Sequence, residues 1–344
     1  MLGSEQMFLI GVRILAGTMT AMEAGRAYAA LAGAVIATLH ERIARDMAAV
    51  HGTFPGDGTA VVAFGKLGSG EMTATSDLDL MVIYDVPADA LSGALLSDGP
   101  KPLPASTAFA RLTQRLAAAL SAPTAEGSLY DVDLRLRPSG QKGPLATSLS
   151  SFINYQSREA WTWEHMALTR ARVVSGTPEM RVKVEQAISA ILCRPRTASV
   201  IAADVRDMRA RIAAEKGTAD PWDLKQVRGG LVDIEFIAQY LQLIHAALTP
   251  AVLNPNTITA LGRLTGAGLL DPTDGEALVE AARLTGSLMG VLRLMADGPF
   301  NPATAPRGLK IRLAQAANEP DFPTLEARLH ETQARTRELF DRLI

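Results

Sequence analysis

Asp77-Leu78-Asp79 sets two carboxylates at the spacing that brings them to one side of an extended chain, because successive side chains of a strand point to opposite faces. Leu78, Leu80 and Val82 then face a core. A second acidic run alternates in the same way. Asp131, Asp133, Arg135 and Arg137 share one face, and Tyr130, Val132, Leu134 and Leu136 share the other. If the two strands are neighbours, three or four carboxylates converge beside two guanidinium groups. Carboxylates crowded in this way repel one another. A pair of Mg²⁺ ions about 4 Å apart compensates, since Mg²⁺ takes oxygen ligands and bridges phosphates. Arginines beside such ions pair with phosphate oxygens. The chemistry indicated is phosphoryl or nucleotidyl transfer, although Asp-x-Asp by itself equally describes a solvated strand edge.

Upstream, Gly65-Lys66-Leu67-Gly68-Ser69-Gly70-Glu71 follows the β-favouring run Ala60 to Phe64 and is placed to open a helix. Free backbone N–H groups at such a turn suit a triphosphate. No Gly-Lys-Ser/Thr ends the turn, so it is not a P-loop.

These groups need strands to hold them. Ala60 to Phe64, Leu78 to Tyr84 and Leu129 to Leu136 read as three strands. A Pro/Gly-containing loop (Pro87 to Pro104) and a helix (Ser106 to Ala119) lie between the second and third. Residues 1–50 carry no proline and read as two helices with a break, and His51 to Thr59 is a loop. From Ser150 onward the pattern is helical: Leu231, Ile234, Ile237, Leu241 and Ile244 recur at helix spacing, as do Leu284, Leu288, Val291, Leu292 and Met295. The expected organisation is a helical lead-in over 1–50, a small α/β unit over 51–150 and a helical domain over 151–344.

The bulk composition narrows the classes. The chain has 344 residues, 48% hydrophobic and 20% charged, with a net charge of −2. That supports a substantial core and lacks the basic surplus of a protein whose partner is a nucleic-acid backbone. Cys193 is the one cysteine, so neither an internal disulfide nor a Cys-type zinc cluster is available. No apolar run reaches membrane length, and the start does not read as a secretory signal, so a soluble cytoplasmic protein is expected.

Strand, Gly-Ser turn, Asp-x-Asp strand and later acidic strand together resemble the nucleotidyltransferase superfamily that includes DNA polymerase β. Longer stretches narrow the likeness: Gly65 to Gly68 with Glu71-Met72-Thr73, Thr75 to Leu80, Val132 to Gly140, Glu159 to His165 through Arg170-Ala171-Arg172, and Arg228 to Phe236. Through these motifs the chain is similar to the glutamine synthetase adenylyltransferase family, strongly over about residues 60–245. Family enzymes carry two nucleotidyltransferase units in one chain. One Asp-x-Asp core is present here, and Glu159-Ala160-Trp161-Thr162-Trp163-Glu164-His165 is similar to the C-terminal, adenylylating half.

The resemblance implies an α+β fold, a DNA polymerase β-like domain with a small mixed sheet followed by a helical bundle. It implies AMP transfer from ATP to a tyrosine hydroxyl of glutamine synthetase, with pyrophosphate released and nitrogen assimilation thereby regulated. Asp77, Asp79 and Asp133 are then the catalytic carboxylates and hold two Mg²⁺ ions, and Gly68 and Ser69 bind the nucleotide phosphates. Lys66, Arg135 and Arg137 are candidate phosphate partners, the two arginines being equally readable as structural ion pairs with the carboxylates. The PII signal protein and glutamine are the implied regulators, and no nucleic acid or membrane partner is implied.

Other residues carry open readings. Asp131 faces the same way as Asp133 but falls outside the matched core. Trp161 and Trp163 are expected in packing between the domains rather than against a base. Glu164, His165, Arg170 and Arg172 suit either a cleft or helix-surface ion pairs, and Arg228-Gly229-Gly230 a turn and cap or, with Asp233 and Glu235, a cleft wall. The rival functions are another transfer of the same superfamily, using UTP or a nucleic-acid acceptor, and a non-catalytic docking module.

Overall fold

Ala60, Val61, Val62 and Ala63 are completely buried, as a continuous apolar run covered on both faces should be. They form the centre of the first strand in a computed structural model that describes residues 2–56, 58–124, 127–296 and 298–344. The strands are β1 (Gly58–Ala63), β2 (Leu78–Asp85), β3 (Pro123–Thr124), β4 (Gly127–Ser128), β5 (Val132–Asp133), β6 (Ala146–Ser148) and β7 (Arg172–Gly176). The helices are α1 (Leu2–Leu15), α2 (Ala21–His51), α3 (Gly65–Ser69), α4 (Ala88–Leu91), α5 (Ala105–Leu120), α6 (Leu149–Arg158), α7 (Thr162–Leu168), α8 (Pro178–Leu192), α9 (Ala198–Lys216), α10 (Leu231–His245), α11 (Thr257–Gly266), α12 (Pro272–Met295), α13 (Arg307–Ala316) and α14 (Phe322–Leu343).

The protein is α+β, with a small mixed sheet and many helices. Sheet order is β5-β2-β1-β7. β1 runs antiparallel to β2 and to β7, whereas β5 and β6 both lie parallel to β2, β5 beside its start and β6 beside its end. β3 and β4 form a separate two-stranded ribbon.

The chain divides into two compact units. The first unit is residues 1–6, 29–70 and 76–191, and holds the sheet. The second is residues 7–28, 71–75 and 192–344, and is helical. Within the sheet unit, Leu78, Leu80, Met81, Val82 and Ile83 bury β2. Tyr84 stacks on Phe109 of α5 with ring centroids 4.3 Å apart. In the helical unit, Trp222 stacks on Phe322 at 5.4 Å and meets Phe300 at 4.6 Å. Among the described residues no helix is long and apolar enough to cross a membrane.

Two differences from the sequence expectation have local causes. The expected strand Leu129–Leu136 is only Val132–Asp133, because the Asp133 carboxylate accepts the backbone N–H of Arg135 at 2.8 Å and the chain turns there. An Asp side chain that competes for backbone amides ends a ladder. The region after Ser150 also contains β7, a short segment whose Val173 and Val174 are buried against the sheet rather than in a helix.

Candidate active site

The carboxylates come from two adjacent strands. β2 and β5 pair in parallel with Leu78 opposite Val132 and Asp79 opposite Asp133, and the Leu78 N–H donates to the Asp131 carbonyl at 2.8 Å. Paired residues of a ladder share a face, and neighbouring strands lie about 4.8 Å apart, so Asp79 and Asp133 are side by side. Leu78 and Leu80 are buried, Asp79 is half-buried and Asp77 is exposed, which is the expected alternation.

Arg135 lies against Asp133 on this acidic face. Its Nε contacts Asp133 Oδ1 and Oδ2 at 3.0 and 2.7 Å, and its Nη2 reaches Oδ2 at 2.5 Å. These bonds hold the Asp133 carboxyl below the usual carboxylate range, against the opposing effect of burial. Asp133 in turn holds the guanidinium above its ordinary value, with smaller contributions from the charges of Asp79 and Asp77. One cation therefore feels all three carboxylates.

Arg137 is placed differently from the expectation. It is buried, and its nitrogens donate to the carbonyls of Leu134 at 2.6 Å, Gly143 at 3.3 Å and Gln141 at 3.4 Å. The turn after Asp133 carries Arg137 off the strand alternation, and its guanidinium braces the loop through these carbonyls.

The Gly-Ser turn is the short helix α3, closed by Gly70 in the left-handed region. Its first residue, Gly65, has φ +51°, and a Cβ there would stand 2.2 Å from Asp79 Oδ2. Only a glycine lets the turn lie against that carboxylate. The Phe64 N–H donates to the Asp79 carbonyl at 2.9 Å, fixing the approach from the backbone side. Lys66 is half-buried on α3, while Gly68 and Ser69 are buried.

Arg170 and Arg172 take part here, which their distance in sequence concealed. Arg170 Nη2 donates to Ser69 Oγ at 2.9 Å. Arg172 donates to the carbonyls of Gly68 at 3.1 Å and Leu67 at 2.8 Å. Both sit at the entry to β7, which pairs with β1, so the sheet brings them beneath α3. The signal available in the sequence was their position within a matched motif, without a partner named.

The remaining candidates make the following contacts. Glu164 accepts from Tyr155 Oη at 2.9 Å and from the Trp161 N–H at 2.9 Å, and so caps α7. His165 Nε2 bonds the Gln156 carbonyl at 2.9 Å. Trp161 and Trp163 are 72% and 44% exposed, so they are not core residues. In the helical unit, Asp233 is fully buried. It pairs with buried Arg209 and with Arg228 at 3.5 Å, and accepts the Gly229 N–H at 2.5 Å. That network ties the Arg228-Gly229-Gly230 turn to the start of α10. Glu71 likewise accepts from Asn256 Nδ2 and the Thr257 N–H, both at 3.1 Å, at the N-terminus of α11. A carboxylate is favoured there by the helix dipole.

Hard carboxylate oxygens from Asp77, Asp79 and Asp133 suit Mg²⁺. Among the described residues no three acidic, His or Cys side chains are grouped tightly enough to enclose an ion as they stand, and the Asp133 carboxylate is closed on Arg135.

Comparison with known proteins places the chain in a family. The glutamate-ammonia ligase adenylyltransferase family matches over residues 1–187, and the GlnD PII-uridylyltransferase family over residues 203–344. The chain is 51% identical over 342 residues to the bifunctional glutamine synthetase adenylyltransferase/adenylyl-removing enzyme of Rhodopseudomonas palustris. It is 52% identical over 340 residues to the enzyme of the same name from Xanthobacter autotrophicus. In both cases 99% of this chain is covered, and the chain spans 34% of the length of the relative. By these matches the chain belongs to the glutamate-ammonia ligase adenylyltransferase family.

Proposed function

We propose that the chain transfers AMP from ATP to a tyrosine hydroxyl of glutamine synthetase and releases pyrophosphate. The observation that carries this reading is the pairing of Asp79 with Asp133 directly against the Gly65 turn, in a chain of this family. Mg²⁺ would be held by Asp77, Asp79 and Asp133, and when bound it supplies charge stabilisation at the phosphoryl group being transferred. The chain's own groups set the rest. Gly65 keeps α3 close to Asp79, and Arg170 and Arg172 hold the Gly68-Ser69 end of α3. The nucleotide phosphates lie along α3, with Lys66 and Arg135 as their cationic partners. Asp133 would assist deprotonation of the incoming hydroxyl, which a phenol with an ordinary pKa of about 10 requires near neutral pH.

The PII signal protein is proposed as a partner on the strength of the match over residues 203–344. Glutamine as a regulator follows from the family likeness alone. The names of the relatives include an adenylyl-removing activity as well as the transferase, and one experiment separates the two. Glutamine synthetase is incubated with the protein, ATP and Mg²⁺, and analysed by mass spectrometry. An AMP adduct on tyrosine supports the reading. Loss of AMP from a pre-modified sample, without addition to an unmodified one, assigns the removing reaction. Label entering from UTP and not ATP overturns the adenylyl assignment.

A further inference from the structure

Arg135 and Arg137 stand two residues apart and are built for opposite purposes. The Arg137 side chain is buried and bonded through all three guanidinium nitrogens to backbone carbonyls, so it cannot move without opening its loop. The Arg135 side chain is 67% exposed, and the side-chain bonds it makes among the described residues all go to Asp133, whose own side chain is 18% exposed. Among the described residues its hydrogen bonds rest on one carboxylate. The arginine end of this pair is open to solvent, where water competes with the contact and lowers what it contributes. Yet the pair covers the very carboxylate that a divalent cation needs, and Asp79 and Asp77 add their charge to the same position.

We propose that Arg135 is a displaceable counter-ion. It closes Asp133 until a divalent cation takes the carboxylate, and the released guanidinium then binds the polyphosphate of the substrate. A single positive charge in bidentate contact with Asp133 screens the acidic face while it is empty of substrate. A doubly charged cation replaces it at little cost. Once free, a guanidinium is well shaped for two phosphate oxygens and makes stronger bonds to them than a neutral donor does. Cation and polyphosphate thereby reinforce each other through one side chain. By linkage, each tightens the binding of the other.

This inference rests on the nucleotidyltransferase reading of the site, and the test separates the two. Mn²⁺ is titrated into the protein without nucleotide, followed by electron paramagnetic resonance of the free ion. Pyrophosphate is then titrated calorimetrically at saturating Mn²⁺. Arg135→Met is compared with the parent in both, after circular dichroism has established that it folds. The expected effects have opposite signs. Mn²⁺ binds roughly two- to fivefold more tightly, since an exposed pair no longer competes. Pyrophosphate binds at least about tenfold more weakly, since a charge-assisted contact is lost. A merely structural arginine would weaken both. The Mn²⁺ measurement is repeated near 1 M salt, where the Debye length is about 3 Å, so that only direct contact survives. Tightening that persists supports displacement, and tightening that vanishes there overturns it in favour of a general field. Unchanged or weaker Mn²⁺ binding, or unchanged pyrophosphate binding, also overturns it. A parent protein that binds no Mn²⁺ overturns the metal-dependent reading of the site itself.

Discussion

Gly65→Ala is the substitution in which the structure separates stability from chemistry most sharply. Two costs arise. The backbone at φ +51° is left-handed, where a Cβ costs roughly 1 to 2 kcal/mol. The added carbon would also stand 2.2 Å from Asp79 Oδ2. That atom is the end of a side chain, so the carboxylate retreats and the sheet does not. Restoring ordinary contact moves it by about 1 Å, a misplacement that costs on the order of 100-fold in rate at a reaction centre. The expected variant is therefore folded, melts only a few degrees lower, and has lost about 99% of its AMP transfer. The assay is the initial rate with α-labelled ATP and glutamine synthetase, beside a thermal melt by circular dichroism. Gly68→Ala is the control. Its Cβ would meet the Arg170 carbonyl at 2.0 Å and the Ala63 carbonyl at 2.7 Å, both backbone, so it should cost roughly 3 kcal/mol of stability. Near-parental activity in Gly65→Ala, or a larger loss of stability there than in Gly68→Ala, would refute the reasoning.

Two further predictions concern stability. His40 is buried with Nδ1 on Ser175 Oγ at 2.8 Å and Nε2 on Thr59 Oγ1 at 2.9 Å, and burial lowers its pKa from 6.5 to about 4. The folded state resists a proton that the unfolded chain accepts. Its contribution is thus complete above pH 6.5 and is lost as pH falls toward 4, about 3 kcal/mol in all. Urea unfolding across that window should show the decline in the parent and a flatter profile in His40→Gln; equal slopes would contradict it. Asp233→Ala leaves buried Arg209 without its carboxylate and should destabilise by about 3 to 5 kcal/mol, read as a drop in melting temperature. A shift of under a degree would show that the network is dispensable.

The parts of the site legible in the sequence are those set by local alternation. Leu78 and Leu80 bury themselves and leave Asp77 and Asp79 on the other side, and nothing distant is needed to see it. The Gly65 turn was legible as a turn, but its contact with Asp79 was not, since that depends on β1 and β2 pairing. Asp133 was placed correctly beside Asp79. Extending the same alternation to Arg137 failed, because Asp133 captures the next backbone amide and turns the chain. Arg170 and Arg172 grip residues about a hundred positions away, a relation that no local pattern carries. Trp161 and Trp163 read as core by residue type, yet Trp161 stands at the N-cap and Trp163 on an exposed face of α7, whose buried positions are Glu164, Met166 and Leu168.

The central claim is that the paired carboxylates of β2 and β5 carry AMP transfer, and one comparison addresses it directly. Single-turnover transfer from α-labelled ATP to glutamine synthetase is measured for the parent, Asp79→Asn and Asp131→Asn. Asp131 is exposed and takes part in the sheet through its backbone carbonyl, so its side chain should not matter. The account predicts a loss of at least about 100-fold for Asp79→Asn, since charge stabilisation at the transferring phosphoryl is removed, and a near-parental rate for Asp131→Asn. Near-parental transfer by Asp79→Asn would contradict it.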